Sequence, residues 1–114
     1  MTTNDDFEAP GVFPTDITVK GVTRSYQICE LADADAAVVF RVTDDKGNRD
    51  NRLVASFNAR VIAKCVRRDD GTPITLEEAR KMRQPLTRAL VQAVLDVHQL
   101  NAEPQAQIED AEGN

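Results

Sequence analysis

Apolar positions fall into four groups along the chain, separated by polar punctuation. The clearest lies between Asp69 and Leu100. Asp69, Asp70, Gly71 and Pro73 mark a turn. Thr75 and Glu78 stand in the T-x-x-E spacing of a capping box, in which hydroxyl and carboxylate each take up a free amide of the first turn. This predicts a short helix from Leu76 to about Met82. Pro85 has no N–H and cannot continue that helix, but it fits the first turn of another. From there Leu86, Ala89, Leu90, Ala93, Val94, Val97 and Leu100 recur at steps of three and four, one apolar stripe of a helix that Asn101 can end. Val91 and Leu95 flank the stripe, leaving a narrow polar face.

The other groups are shorter. Ile17 and Val19, then Tyr26 and Ile28, alternate with polar residues about Gly21, which predicts a β-hairpin over 17–31. Residues 32–45 read both ways: Asp33 can cap a helix and Ala34, Ala36 and Ala37 favour one, whereas Val38, Val39, Phe40 and Val42 favour a strand. Residues 52–66 satisfy a helical face (Leu53, Val54, Phe57, Val61, Ile62, Cys65) and also a strict alternation. Their length, their alanines and the interleaved Arg60 and Lys64 select the helix. Asp44 to Asn51 is a polar loop.

These elements predict one α+β domain over residues 17–101, mainly helical with a small N-terminal β-hairpin. Residues 1–16, polar and acidic with Pro10, Gly11 and Pro14, read as a disordered arm, and 102–114 as an acidic flexible tail. A length of 114 residues suits a single domain, and 41% apolar but only 4% aromatic residues imply an aliphatic core. No apolar run approaches the roughly 20 residues of a membrane span, and the acidic start is unlike a secretory signal, so a soluble intracellular protein is expected. Cys29 and Cys65 read as reduced thiols.

Net charge is −5, unevenly spread. Residues 1–50 carry ten acids and five bases, 51–88 four acids and nine bases, and 89–114 five acids and no base. Arg60, Lys64, Arg67 and Arg68, and then Arg80, Lys81, Arg83 and Arg88, form two candidate basic patches, but the pI near 4.8 and the acidic flanks argue against a nucleic-acid surface. No catalytic constellation is visible. His98 is the single histidine and lies at the edge of the apolar stripe. The loop of Asp44, Asp45, Gly47, Asn48 and Asp50 lacks the spacing of a calcium loop, with Leu53 where its glutamate belongs. Catalytic, cofactor-binding and metal-ligating residues are therefore all assigned as none.

The run from Phe57 to Asn101, FNARVIAKCVRRDDGTPITLEEARKMRQPLTRALVQAVLDVHQLN, resembles the tail assembly chaperones of long-tailed bacteriophages. An alanine-rich amphipathic helix ends in a Cys-Val step, a D-D-G turn and a capped short helix follow, and the last helix closes on L-N, with a short β-rich part before them. The resemblance implies a protein of the infected host's cytoplasm, absent from the mature virion, that binds the tape measure protein, keeps it soluble and recruits tail tube subunits. It carries over no catalytic residues. Leu86, Leu90, Val91, Val94, Leu95 and Val97 on the last helix, with Phe57 and Val61 on its neighbour, are the expected partner-binding residues, and self-association through the same surface is expected to compete. A structural phage protein (tail tube or connector) or a small nucleic-acid-binding regulator are the alternatives. The tube reading requires a sheet across Val38–Val66.

Overall fold

The computed structural model describes residues 11–99. The chain runs β1 (Val12–Val19), β2 (Val22–Cys29), α1 (Asp33–Val39), α2 (Asn51–Cys65), β3 (Val66–Arg68), α3 (Leu76–Arg80) and α4 (Gln84–Val97). The strands form one antiparallel sheet in the order β1-β2-β3. Helix accounts for 46% and strand for 25% of the described residues, an α+β fold with more helix than sheet.

The hairpin turns on two residues, Lys20 and Gly21, with φ of 52° and 82°. Paired positive φ values match the right-handed twist of the flanking strands, and Gly21 adopts its value without steric cost. The register Ile17↔Arg24 and Val19↔Val22 puts Ile17, Val19, Val22, Arg24, Tyr26 and Ile28 on one face. The opposite face is polar: Thr18 and Thr23 hydroxyls meet at 2.7 Å, and Ser25 Oγ donates to Asp16 at 2.7 Å. One face is wet and the other is covered by helices, as an antiparallel sheet allows.

The covering helices are α2 and α4. Both pack on the sheet and on each other, with α3 against α2 and α1 on its outer side. The core between them holds Ile28, Val61, Ile62, Cys65, Val66, Leu90 and Val94, all fully buried. Burying one such aliphatic side chain contributes about 1.5–3 kcal/mol.

The helix starts are chemically defined. Asp50 caps α2, its carboxylate accepting from the amides of Arg52 (2.9 Å) and Leu53 (3.3 Å). The capping box of α3 is complete: the Glu78 amide donates to Thr75 Oγ1 at 3.1 Å, and the Thr75 amide donates to Glu78 Oε1 at 2.9 Å. Pro85 lies in the first turn of α4.

Several expectations are corrected. Residues 12–16 are not part of a disordered arm; they begin β1, with Pro14 on the sheet's edge strand, where its missing N–H costs no ladder bond. Residues 1–10 and the 102–114 tail lie outside the described residues. The first open segment resolves as α1, but Asp33 does not cap it. It is the first helical residue, and Ala32 holds the cap position without a side-chain bond. Residues 51–65 are helical, and Val66, expected in that helix, instead starts β3. The last helix ends at Val97, with Gln99 at φ 59° closing it, before Asn101 is reached. The left-handed residue takes the chain out of the helical path.

Candidate functional site

Four of the expected partner-binding residues lie inside the domain. Val61, Leu90 and Val94 are fully buried, and Val91 is 8% exposed. These four serve the domain's own core. The sheet and α2 together cover a wider sector of α4 than a single packing face would. Phe57, Leu86, Leu95 and Val97 are half-buried against the same core. Of the eight expected residues, Leu86 borders an open cavity.

That cavity is a groove of about 430 Å³ between the turn end of the hairpin and the start of α4, within the roughly 300–1,000 Å³ of ligand-binding clefts. Ile17, Val19, Val22 and Tyr26 form its sheet wall, and Pro85 and Leu86 its helix wall. Val22 is 53% exposed, large for an aliphatic residue. Lys20, Arg24 and Arg83 complete the lining. Among the described residues none of these three side chains has an ion-pair or hydrogen-bond partner. The N-terminal end of α4, with its partial positive charge, opens beside them. Apolar walls, three uncompensated cations and a helix N-terminus together suit an apolar anchor flanked by carboxylates.

The groove is built by segments some sixty residues apart, which explains why periodicity missed it. The available signal was Lys20 in the hairpin turn and Arg24 just after it, with an apolar Val22 between them. Three residues of the two candidate basic patches are engaged within the fold. Arg60 turns inward: its guanidinium donates to the carbonyls of Val39 (3.0 Å), Arg41 (2.6 Å) and Leu53 (2.6 Å) and to Ser56 Oγ. Arg68 bonds the Pro73 carbonyl at 2.7 Å and pairs with Glu78 at 2.9 Å. Lys81 pairs with Glu77 at 3.4 Å.

The groups with catalytic potential are committed elsewhere. His98 Nε2 accepts from the Leu31 amide at 2.8 Å, which can only donate. The ring proton therefore resides on Nδ1 and is given to the Val94 carbonyl, also at 2.8 Å. Phe40 stacks edge-on to the same ring at 5.2 Å. Burial, with Cys29 nearby adding to it, pushes the Cys65 thiol up to about 12. A thiol so raised is protonated at neutral pH and is no nucleophile. The Asp44 carboxylate is occupied by the amides of Lys46 and Asn48, both at 2.9 Å. Among the described residues no three His, Cys, Asp or Glu side chains gather into a metal site, and no helix is long and apolar enough to cross a membrane.

Comparison of the chain with protein-family models, curated proteins and solved structures gives no match.

Proposed function

We propose that the protein is a binding protein rather than an enzyme, a tail assembly chaperone that holds the tape measure protein in soluble form and hands it to tail tube subunits. The observation that carries the binding role is the open apolar groove with Lys20, Arg24 and Arg83 in its lining. Such a groove accepts an apolar side chain of an amphipathic segment while the cations meet acidic residues beside it. The phage setting rests on the resemblance of residues 57–101, and with it the host cytoplasm as the place of action and absence from the mature virion.

Helix α2 (Asn51–Cys65) stands within the stretch where a tail tube subunit would need a sheet, which favours the chaperone reading. Arg60 and Arg68 are engaged by neighbouring groups, which weighs against a nucleic-acid regulator that would use them. The docking surface is moved from the middle of α4 to its first turn and the hairpin, with Leu86 common to both. Self-association through the exposed Val22 would occupy the same groove.

The test is co-expression with the tape measure protein and measurement of its soluble fraction. Val22→Asp combined with Arg83→Glu changes two exposed groove positions and leaves the core intact. Loss of soluble tape measure protein with an unchanged melting temperature supports the reading. Full solubilisation by the folded double variant refutes it.

A further inference from the structure

The groove's cations lack carboxylate partners among the described residues, yet the chain carries carboxylates directly after α4. Residues 100–114, LNAEPQAQIEDAEGN, contain four acids and no base, and beyond Leu100 a single large aliphatic residue, Ile108, followed at once by Glu109 and Asp110 and then Glu112. One apolar anchor followed by three acids is the complement of the groove: Ile17, Val22 and Leu86 provide apolar wall, and Lys20, Arg24 and Arg83 provide charge.

Chain length permits the docking. Leu86 lies in the groove wall, and α4 leaves it toward Val97, about 16 Å away at 1.5 Å per residue. Ile108 follows Gln99 by nine residues, a reach of about 30 Å when extended. The segment can therefore return along α4 with slack. The other acidic segment has no such slack: its reach ends at Ile17, at the near edge of the groove and short of Lys20. Phe7, with Asp5, Asp6 and Glu8 beside it, precedes Val12 by five residues and reaches about 17 Å. It joins β1 at the end opposite the groove, and that eight-residue strand spans about 25 Å.

We propose that residues 103–112 of the chain itself occupy this groove, with Ile108 against the apolar walls and Glu109, Asp110 and Glu112 toward Lys20, Arg24 and Arg83, so that the segment competes with the client. The inference rests on the reading of the groove as the docking site and adds its regulation. The segment is a tethered competitor: its local concentration is fixed by the tether, so a client must displace it, and a client lacking both anchor and acids is rejected. If the segment fills the groove in about nine of ten molecules, removing it tightens client binding about tenfold.

The experiment uses the full chain. Tyr26 lines the groove and is the chain's one tyrosine, and there is no tryptophan, so intrinsic emission reports on this site alone. In the variant I108S/E109Q/D110Q/E112Q, acrylamide quenching of Tyr26 should rise, and the backbone amide resonances of Lys20, Val22, Arg24 and Leu86 should shift. A synthetic peptide of residues 100–114 added to this variant should restore the parental values, and raised salt should weaken that restoration. Parental and variant spectra that coincide at these positions overturn the proposal. Shifts in the parent that vary with protein concentration overturn it as well, assigning the groove to a second copy of the chain. The solubility assay is read separately. Groove resonances that respond to the tail variant, with a tape measure protein that ignores groove substitutions, refute the chaperone reading and leave the tail docking standing. Groove-dependent solubilisation without any resonance response does the reverse.

Discussion

Replacing Arg60 by Met tests whether this arginine is a structural brace or part of a basic surface. Methionine keeps the apolar stem against Phe57, whose ring centroid lies 5.9 Å from the guanidinium carbon, and removes only the donors. Three carbonyls lose a charged partner. Those of Val39 and Leu53 are in part-buried bonds, and each such loss costs roughly 1–1.5 kcal/mol once partial hydration is allowed for; the exposed Arg41 carbonyl recovers water at little cost. The sum is about 2–3 kcal/mol, or a fall of about 10 °C in melting temperature for a domain of this size. Thermal denaturation followed by circular dichroism at neutral pH measures it. The loss should fall on the junction of α1 with α2, so amide exchange in Ala36–Phe40 should accelerate ahead of exchange in α4. Arg60→Lys should rescue little, because one ammonium cannot reach carbonyls on both helices. A Met variant that melts within about 2 °C of the parent, against this expected cost, would mean that these bonds contribute nothing net and that Arg60 is free to serve a surface.

Three further outcomes are expected. Val91→Glu should unfold the domain or lower its stability by more than about 3 kcal/mol, because the carboxylate would replace a core side chain 8% exposed; a near-parental urea midpoint would contradict that placement. Glu78 is held below its ordinary carboxyl range first by the Thr75 amide and then by Arg68. A depressed folded-state value makes its contribution present above the unfolded value near 4.5 and lost as pH falls through the folded one. Glu78→Gln should therefore flatten the stability profile below about pH 4.5, and parallel acid-denaturation curves for the two proteins would refute this. Cys65, raised to about 12, should resist iodoacetamide at pH 8 in the folded state while Cys29 is modified first, as mass spectrometry of the labelled peptides would reveal.

What could be read from the chain was what local chemistry decides. Thr75 with Glu78, and Pro85, specify two helix starts through bonds made within four residues, and both starts are where the spacing puts them. In 52–66 the length and alanines that favour a helix over a strand are joined by Asp50, whose carboxylate closes the first turn of α2. Strand β3 was illegible because three residues directly after a helix show no period; only pairing with Tyr26–Ile28 defines it. The burial of Val61, Leu90, Val91 and Val94 was illegible for a related reason. The width of an apolar sector states how much of a helix is covered, not whether its own sheet or a partner covers it. The groove arises from the meeting of residues 17–26 with 83–86, a tertiary fact that no window of sequence contains.

The bond from the Leu31 amide to His98 links positions 67 residues apart and fastens the end of α4 beside the sheet. During synthesis this orders events in time. The hairpin has emerged in full long before the helix that covers it, and at about 5–20 residues per second the interval is roughly 3–13 s. Throughout it the apolar face bearing Ile17 and Ile28 lacks α4, and neither the latch at His98 nor the groove exists. The nascent chain thus passes through a stage in which its own sheet needs shelter, and a ribosome pausing after the hairpin has left the exit tunnel and before codon 98 would lengthen that stage. Synonymous codon changes in this stretch, silent in the finished protein, would be felt as aggregation of the unfinished one.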